Sequence, residues 1–99
     1  MDGFDIGRID DVIHGRLRLG VMAYLSTAGT ATFNELKQKL QASDGNLSVH
    51  LRKLEDAGYV ATDKSFIARK PSTRIVLTDK GREAFIAYLA AIEALVARR

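Results

Sequence analysis

A short stretch in the middle of the chain combines polar, basic and small side chains that suit contacts with a nucleic acid. Asn46 and Ser48 can exchange hydrogen bonds with base edges, and Val49 can contact a thymine methyl group. Arg52 and Lys53 can reach a guanine or a phosphate. These side chains act together only if one element of the fold presents them on one face.

A helix would present them in this way. Leu47, Leu51 and Leu54 fall within about 60° of arc when each residue advances about 100° around the axis, so these three leucines face inward. The opposite face then carries the five side chains above together with Gly45, where the backbone can approach a ligand closely.

The ends of this helix are marked by their own residues. Ser43 is a suitable N-cap, and Gly58 suits the left-handed position just past a helix end. Tyr59 beyond it can pack back on Leu54, as in a Schellman motif. We therefore expect the helix to end near Ala57.

A second basic group follows in a predicted β-hairpin. Residues 59–66 and 73–77 are rich in β-branched and aromatic side chains, and the connection between them contains Pro71 and Ser72. The hairpin carries four basic residues with no acidic residue between them: Lys64, Arg69, Lys70 and Arg74. We expect these residues to contact a phosphate backbone or a minor groove.

The basic residues also have simpler interpretations. Arg52 and Lys53 are also compatible with an exposed, solvated helix face, where Asp56 tempers the positive charge. Arg69 and Lys70 are also compatible with a solubilising loop tip that protects a sheet edge. Contact with DNA is favoured because the predicted helix and the predicted hairpin both present basic side chains that can reach it.

The remaining elements complete a mainly α fold with a small β-hairpin, an α+β fold. An amphipathic first helix is predicted over about residues 10–27, ended by Gly29. An extended Ala31–Phe33 follows, and Asn34 is the expected N-cap of a short second helix. Thr78 precedes a last helix over about 79–98. The order is helix, short strand, helix, helix, hairpin, helix, which is a winged helix-turn-helix arrangement.

The first and last helices are expected to pair two copies of the chain. A last helix of about 20 residues extends about 30 Å, more than so small a domain can cover, and a large exposed apolar patch marks a partner. The alternative is that the apolar side chains of the last helix cover only the core of one chain. The predicted homodimer interface consists of Ile9, Ile13, Leu17, Phe85, Tyr88, Leu89, Ile92, Leu95 and Val96.

Composition limits the class of protein. The 99 residues fit one domain, 1–99, and 46% apolar with 27% charged residues is typical of a folded chain. The net charge of +3 permits a nucleic-acid partner. With no cysteine, no signal peptide and no membrane span, a cytoplasmic location is expected.

Catalysis and cofactors are not indicated. There is no glycine-rich phosphate loop, no pair of His ligands at helical spacing and no convincing Ser, His and acid set. We therefore expect no enzymatic activity, no cofactor and no metal. His50 lies at the edge of the leucine face, where it is either a packing or backbone-bonding residue or a DNA contact.

Three segments carry a family resemblance. Residues 43–60, 69–73 and 77–82 resemble the small stand-alone winged-helix transcriptional regulators related to the MarR and ArsR groups. The resemblance runs from the first helix to near the end of the chain, and it implies a homodimeric transcription factor whose first and last helices pair the subunits. Metal-sensing ArsR members use clustered Cys, His and carboxylate ligands, whereas this chain has only His14 and His50, far apart. Metal sensing is therefore not expected.

Two functions are consistent with these patterns. The first is sequence-specific binding of double-stranded DNA by a homodimeric regulator, with repression favoured over activation. Its operator is expected to be an imperfect palindrome whose half-sites lie about 34–36 Å apart. The alternative is a winged-helix protein-interaction module without DNA binding, since Asp44 and Asp56 flank the predicted contact face. No residue identifies a small-molecule effector.

Overall fold

The structure, a computed structural model, describes residues 4–67 and 70–97, and it describes only the backbone at 65–67 and at 70–71. A single 3-10 turn, Ile6–Arg8, precedes the main elements. The order of elements confirms the predicted winged helix fold. The helices are α1 Arg16–Ala28, α2 Phe33–Leu40, α3 Asp44–Asp56 and α4 Asp79–Val96, and the strands are β1 Thr30–Thr32, β2 Val60–Ile67 and β3 Lys70–Leu77.

The strands form one antiparallel sheet in the order β1-β3-β2. β2 pairs with β3 along its whole length, whereas β1 pairs only with residues 74–76 at the base of the hairpin. Pro71 and Ser72 lie inside β3 and not in the connection where they were predicted. Proline is tolerated there because β1 does not reach this part of β3, which leaves that edge without a neighbouring strand.

Local residues set three of the predicted helix ends. Ser43 Oγ accepts from Asn46 N at 3.2 Å, and Thr78 Oγ1 accepts from Gly81 N at 2.9 Å. Gly58 follows α3 with a φ of 82°, and the backbone N–H of Tyr59 donates to the carbonyl of Leu54 at 2.9 Å. The predicted Schellman end of α3 is confirmed.

The predicted N-cap of α2 is wrong. Thr32, and not Asn34, caps the helix, because Thr32 Oγ1 accepts from Glu35 N at 3.1 Å while Glu35 Oε1 accepts from Thr32 N at 3.3 Å. This is a reciprocal capping box, whose Thr-x-x-Glu spacing is visible in the sequence. As a result Phe33 begins α2 and does not extend the strand.

The first helix begins later than expected, at Arg16. Asp10 does act as a cap, but only for a single turn, because its Oδ1 accepts from Val12 N at 2.8 Å and from Ile13 N at 3.3 Å. Gly15 has an extended backbone and separates this turn from α1. The spacing of Val12 and Ile13 predicted a helix, but these two apolar residues lie instead in a turn that is partly buried.

The core is formed where α1, α2, α3 and α4 meet one face of the sheet. The three leucines of α3 are buried as predicted. Five of the nine residues predicted at a subunit interface are buried within one chain, so they have little surface left for a partner. They are Ile9, Ile13, Leu17, Phe85 and Tyr88. Among the described residues, no helix is long and apolar enough to cross a membrane.

Candidate nucleic-acid interface

The outer side of α3 carries the predicted DNA contacts. Burial of Leu47, Leu51 and Leu54 turns this side to solvent, so that even the apolar Val49 is 55% exposed. A Cβ built on Gly45 meets no atom within 4 Å, so the space in front of the helix is open. We call this surface the reading face. Its residues are Gly45, Asn46, Ser48, Val49, Arg52 and Lys53, all exposed.

A groove of about 420 Å³ separates α3 from the hairpin. Ser48 and Arg52 line it from α3, and Lys64 lines it from β2. Lys64 pairs with Thr73 in the sheet, and both side chains lie on the face of the hairpin that is turned to α3. The structure thus brings Lys64 together with the reading face.

Arg74 is placed differently. Neighbouring residues of a strand point to opposite faces, and Ile75 points into the core, so Arg74 lies on the outer face of the sheet. It stands opposite Asp63 and Thr32 in the sheet register. The hydrogen bond from Tyr24 is the main reason that the pKa of Glu35 is lowered, and the charge of Arg74 is a smaller one. Arg74 therefore lies beside α2, away from the groove.

The predicted hairpin tip lies largely outside the described side chains. Arg69 is not among the described residues. The backbone of Lys70 pairs with Ile67 at the end of the hairpin, which places Lys70 far along the strand from the sheet base. The contacts predicted for these two basic side chains stay a prediction.

Two acidic residues near the reading face, Asp44 and Asp56, have cationic partners. Lys37 of α2 lies 2.8 Å from Asp44, and Arg52 Nε lies 3.8 Å from Asp56. All four side chains are substantially exposed, and exposed ion pairs contribute little to stability. Arg52 is therefore able to exchange Asp56 for a phosphate or a base, while the Lys37 pair offsets the charge of Asp44.

The role of Arg18 is not apparent from the sequence. Arg18 Nη1 lies 2.7 Å from His50 Nδ1, and Arg18 Nε donates to the carbonyl of Val12 at 2.6 Å. Burial lowers the pKa of His50, and the positive charges of Arg18 and Lys53 lower it further. Nothing in the sequence near Arg18 predicts its contact with His50, which lies 32 positions away. From the sequence, Arg18 is simply one of the polar residues of α1.

The assembled surface is built for binding. It offers hydrogen-bond donors and acceptors, one exposed methyl-bearing side chain and several cations at the edge of an open groove. In the part of the chain that the structure describes, no group of three or more His, Asp and Glu side chains is arranged to hold a metal ion.

A family comparison matches most of the chain. The sequence model of a family described as "Winged helix DNA-binding domain" matches residues 17–96. An uncharacterized protein of Methanocaldococcus jannaschii is 42% identical over 78 residues, which cover 79% of this chain and 85% of that protein.

Solved structures share the fold. A transcriptional regulator homologue from Pyrococcus horikoshii OT3 is 34% identical, with a TM-score of 0.81 over 87% of this chain and 85% of that chain. Overoxidized AbfR, a Staphylococcus epidermidis protein solved bound to DNA, is 25% identical, with a TM-score of 0.71 over 80% of this chain and 57% of that chain.

The resemblance to MarR-like regulators is confirmed, and the likeness to the ArsR group is one of fold. A MarR-like transcriptional regulator from Thermotoga maritima is 28% identical, with a TM-score of 0.60 over 80% of this chain and 55% of that chain. An ArsR family transcriptional regulator shares the fold at 23% identity and a TM-score of 0.63. This chain spans little more than half of the AbfR and MarR-like chains.

Proposed function

Because this chain belongs to the family of winged helix DNA-binding domains, we propose that it is a homodimeric transcriptional regulator that binds double-stranded DNA in a sequence-specific manner. The observation that carries the proposal is the reading face, a set of exposed polar and basic residues on one side of α3 with Lys64 across the adjoining groove. A helix of this kind fits the major groove, which is about 12 Å wide.

The side chains divide into two roles. Asn46, Ser48 and Arg52 have the hydrogen-bonding groups that distinguish base edges, and Val49 supplies an apolar contact for a thymine methyl group. Lys53 and Lys64 lie at the margins of the reading face, where phosphates would lie beside a helix in the groove. Arg69 and Lys70 extend the phosphate contacts in the proposal, whereas Arg74, beside α2, does not face this groove.

The subunit interface is proposed on α4. Three large apolar side chains of this helix stay exposed in one chain: Ile86 at 61%, Leu89 at 49% and Val96 at 78%. Ile92 and Leu95, half-buried, adjoin them. Contact with a second copy would cover this surface, and it would place two reading faces on an imperfect palindrome.

Repression is the proposed mode of action. Occupation of a promoter needs DNA binding alone, which the exposed reading face can supply. AbfR, which shares the fold, has been solved bound to DNA.

Titration of DNA with the protein tests the proposal. Fluorescence anisotropy of a labelled duplex of mixed sequence is measured at several salt concentrations, and the mass of the free protein is measured in parallel. We expect binding by a dimer that weakens steeply with salt, because each neutralised phosphate contributes about −0.9 to the slope of log K against log salt. Absence of binding at low salt would contradict the proposal and favour a protein-interaction module.

A further inference from the structure

We propose that His50 donates a hydrogen bond from Nε2 to a phosphate of bound DNA, and that Arg18 is a positioning residue that orients its ring and fixes its tautomer. The inference rests on the proposed function and adds two residues to it. Neither residue belongs to the reading face defined above.

The contact with Arg18 decides which nitrogen of His50 carries the proton. A guanidinium has only donors, so His50 Nδ1, 2.7 Å from Arg18 Nη1, must be the acceptor. In the neutral ring the hydrogen is then on Nε2. The lowered pKa of His50 keeps the ring neutral near pH 7.

The second ring nitrogen reaches solvent. Within the described residues, the structure gives Nε2 of His50 no hydrogen-bond partner, and no buried side-chain nitrogen or oxygen lacks one. Nε2 is therefore not buried. Because the two ring nitrogens point in divergent directions, a ring held by Arg18 at Nδ1 directs the Nε2 donor away from Arg18.

The position of His50 on α3 suits a phosphate. Asn46, His50 and Lys53 follow one another at steps of four and three residues, so they form one flank of the helix. The hairpin groove lies along the other flank, where Ser48 and Arg52 point. A helix in a major groove turns its flanks to the two phosphate strands, so Lys64 faces one strand and His50 with Lys53 faces the other.

Arg18 is held firmly enough to position the ring. Its Nε donates to the carbonyl of Val12 at 2.6 Å, and a Cβ on Gly15 would lie only 2.8 Å from its Nη2. The missing side chain of Gly15 thus makes room for the guanidinium. Through its contacts with Val12 and His50, Arg18 links the segment before α1 to α3.

The charges around His50 come from three elements. Arg18 of α1 and Lys53 of α3 act directly on the ring. Asp11, before α1, and Asp56, near the end of α3, line the same shallow surface hollow as those two cations. The surroundings of His50 are therefore mixed in sign, with the nearest charges positive.

A matched pair of variants tests the donor. H50N retains an acceptor oxygen near the place of Nδ1 but has no donor at the place of Nε2, whereas H50Q has an amide N–H close to that place. We expect H50N to weaken binding of a labelled mixed-sequence duplex by roughly tenfold, as for loss of one hydrogen bond to a charged group, and H50Q by less than about threefold. Equal affinities of H50N and wild type, or equal weakening in both variants, would overturn the inference.

A double-mutant cycle tests the positioning role. R18A removes a charge in any background, but it disturbs ring orientation and tautomer only when residue 50 is histidine. We expect R18A to weaken DNA binding by roughly fivefold in the wild-type background and by less than about twofold in H50Q, a coupling typical of residues in contact. Equal effects in both backgrounds would show that Arg18 acts by charge alone and would overturn its assigned role.

The nitrogen NMR spectrum of the free protein gives an independent readout. The imidazole 15N shifts of His50 are expected to show a protonated Nε2 and an unprotonated Nδ1 at about pH 7.5, where the neutral ring dominates, and a proton on Nδ1 would overturn the tautomer assignment. This spectrum and the His50 pair decide the inference even if R18A does not fold. A wild-type protein that binds no duplex at low salt would contradict the proposed function, whereas normal binding by H50N would overturn only this inference.

Discussion

The hydroxyl of Tyr59 donates to the carboxylate of Asp10 at 2.5 Å, although 49 positions separate the two residues. The other oxygen of Asp10 closes the turn at Val12 and Ile13. A single carboxylate therefore shapes the segment before α1 and ties it to the start of the hairpin.

The hydrogen bond between Tyr59 and Asp10 makes the free energy of unfolding depend on pH in the alkaline range. The hydrogen bond to Asp10, and then burial, raise the pKa of Tyr59 from 10.0 to about 12. Between these values the unfolded chain loses the Tyr59 proton and the folded chain keeps it, so the free energy of unfolding should fall as pH rises through this window. Urea denaturation at about pH 9, 10 and 11 measures the loss. Y59F should show a shallower loss, and an unchanged pH dependence in Y59F would contradict the assignment.

Gly81 should not tolerate a side chain. A Cβ built on it meets the carbonyl oxygen of Tyr59, with the carbonyl carbon at 2.8 Å, and backbone cannot move aside as a flexible side chain can. We expect G81A to lower the free energy of unfolding by about 2 kcal/mol or more, a typical cost of overpacking.

Gly45 provides the matched control for Gly81. Because the space around it is open, G45A should leave stability unchanged or raise it by up to about 1 kcal/mol through helix propensity. DNA affinity should nevertheless fall, since the added methyl group stands on the reading face, where the helix would approach the DNA major groove. Equal destabilisation by G81A and G45A would contradict the close approach at Gly81.

The corrected cap of α2 makes a further prediction. T32A removes the acceptor for Glu35 N and should destabilise the protein by about 1 kcal/mol, the usual cost of losing an N-cap. N34A changes an exposed residue that caps nothing and should alter stability by less than about 0.5 kcal/mol. Thermal or urea denaturation of both variants decides between the two residues, since the opposite ranking would restore Asn34 as the cap.

The proposed α4 interface predicts a change in mass. L89E places a charge in the middle of the exposed apolar surface, where its burial against a second copy would leave it unpaired, so we expect a monomer by light scattering. V49E is the control, because Val49 is similarly exposed but lies on α3, and this variant should keep the mass of the wild type. A dimeric L89E protein would place the interface elsewhere.

Lys64 should contribute one phosphate contact. K64Q is expected to weaken binding to all duplexes and to reduce the slope of log K against log salt by about 0.9, since one phosphate fewer is neutralised. R8Q removes the same charge from an exposed residue in the 3-10 turn before α1 and should leave the slope unchanged. Equal slopes for K64Q and wild type would remove Lys64 from the interface.

Features encoded by neighbouring residues could be predicted from the sequence. The caps at Ser43 and Thr78 and the glycine end of α3 need only side chains within a few positions, and the leucine spacing of α3 follows from helix geometry. These features fix which side of α3 is exposed. For that reason the members of the reading face follow from the amino-acid sequence alone.

Features that depend on distant contacts could not be predicted. The turn before α1 has a helical apolar pattern, but the hydrogen bonds between Tyr59 and Asp10 and between His14 and Tyr88 hold it in another form. Arg18 and His50 meet only after α1 packs on α3. The side of the sheet on which Arg74 lies depends on strand register, which a basic residue in a hairpin does not reveal.

The short reach of β1 has a consequence for how such a protein can diverge. β1 reinforces the hairpin only at residues 74–76, so the described residues of β3 from Lys70 to Thr73 pair with β2 alone. Replacements in this outer section leave the buried core untouched. In the proposed binding mode the hairpin contacts phosphates, so replacements in this section should change DNA affinity without changing the core. Exchanging this section with that of a relative should then transfer affinity between the two proteins.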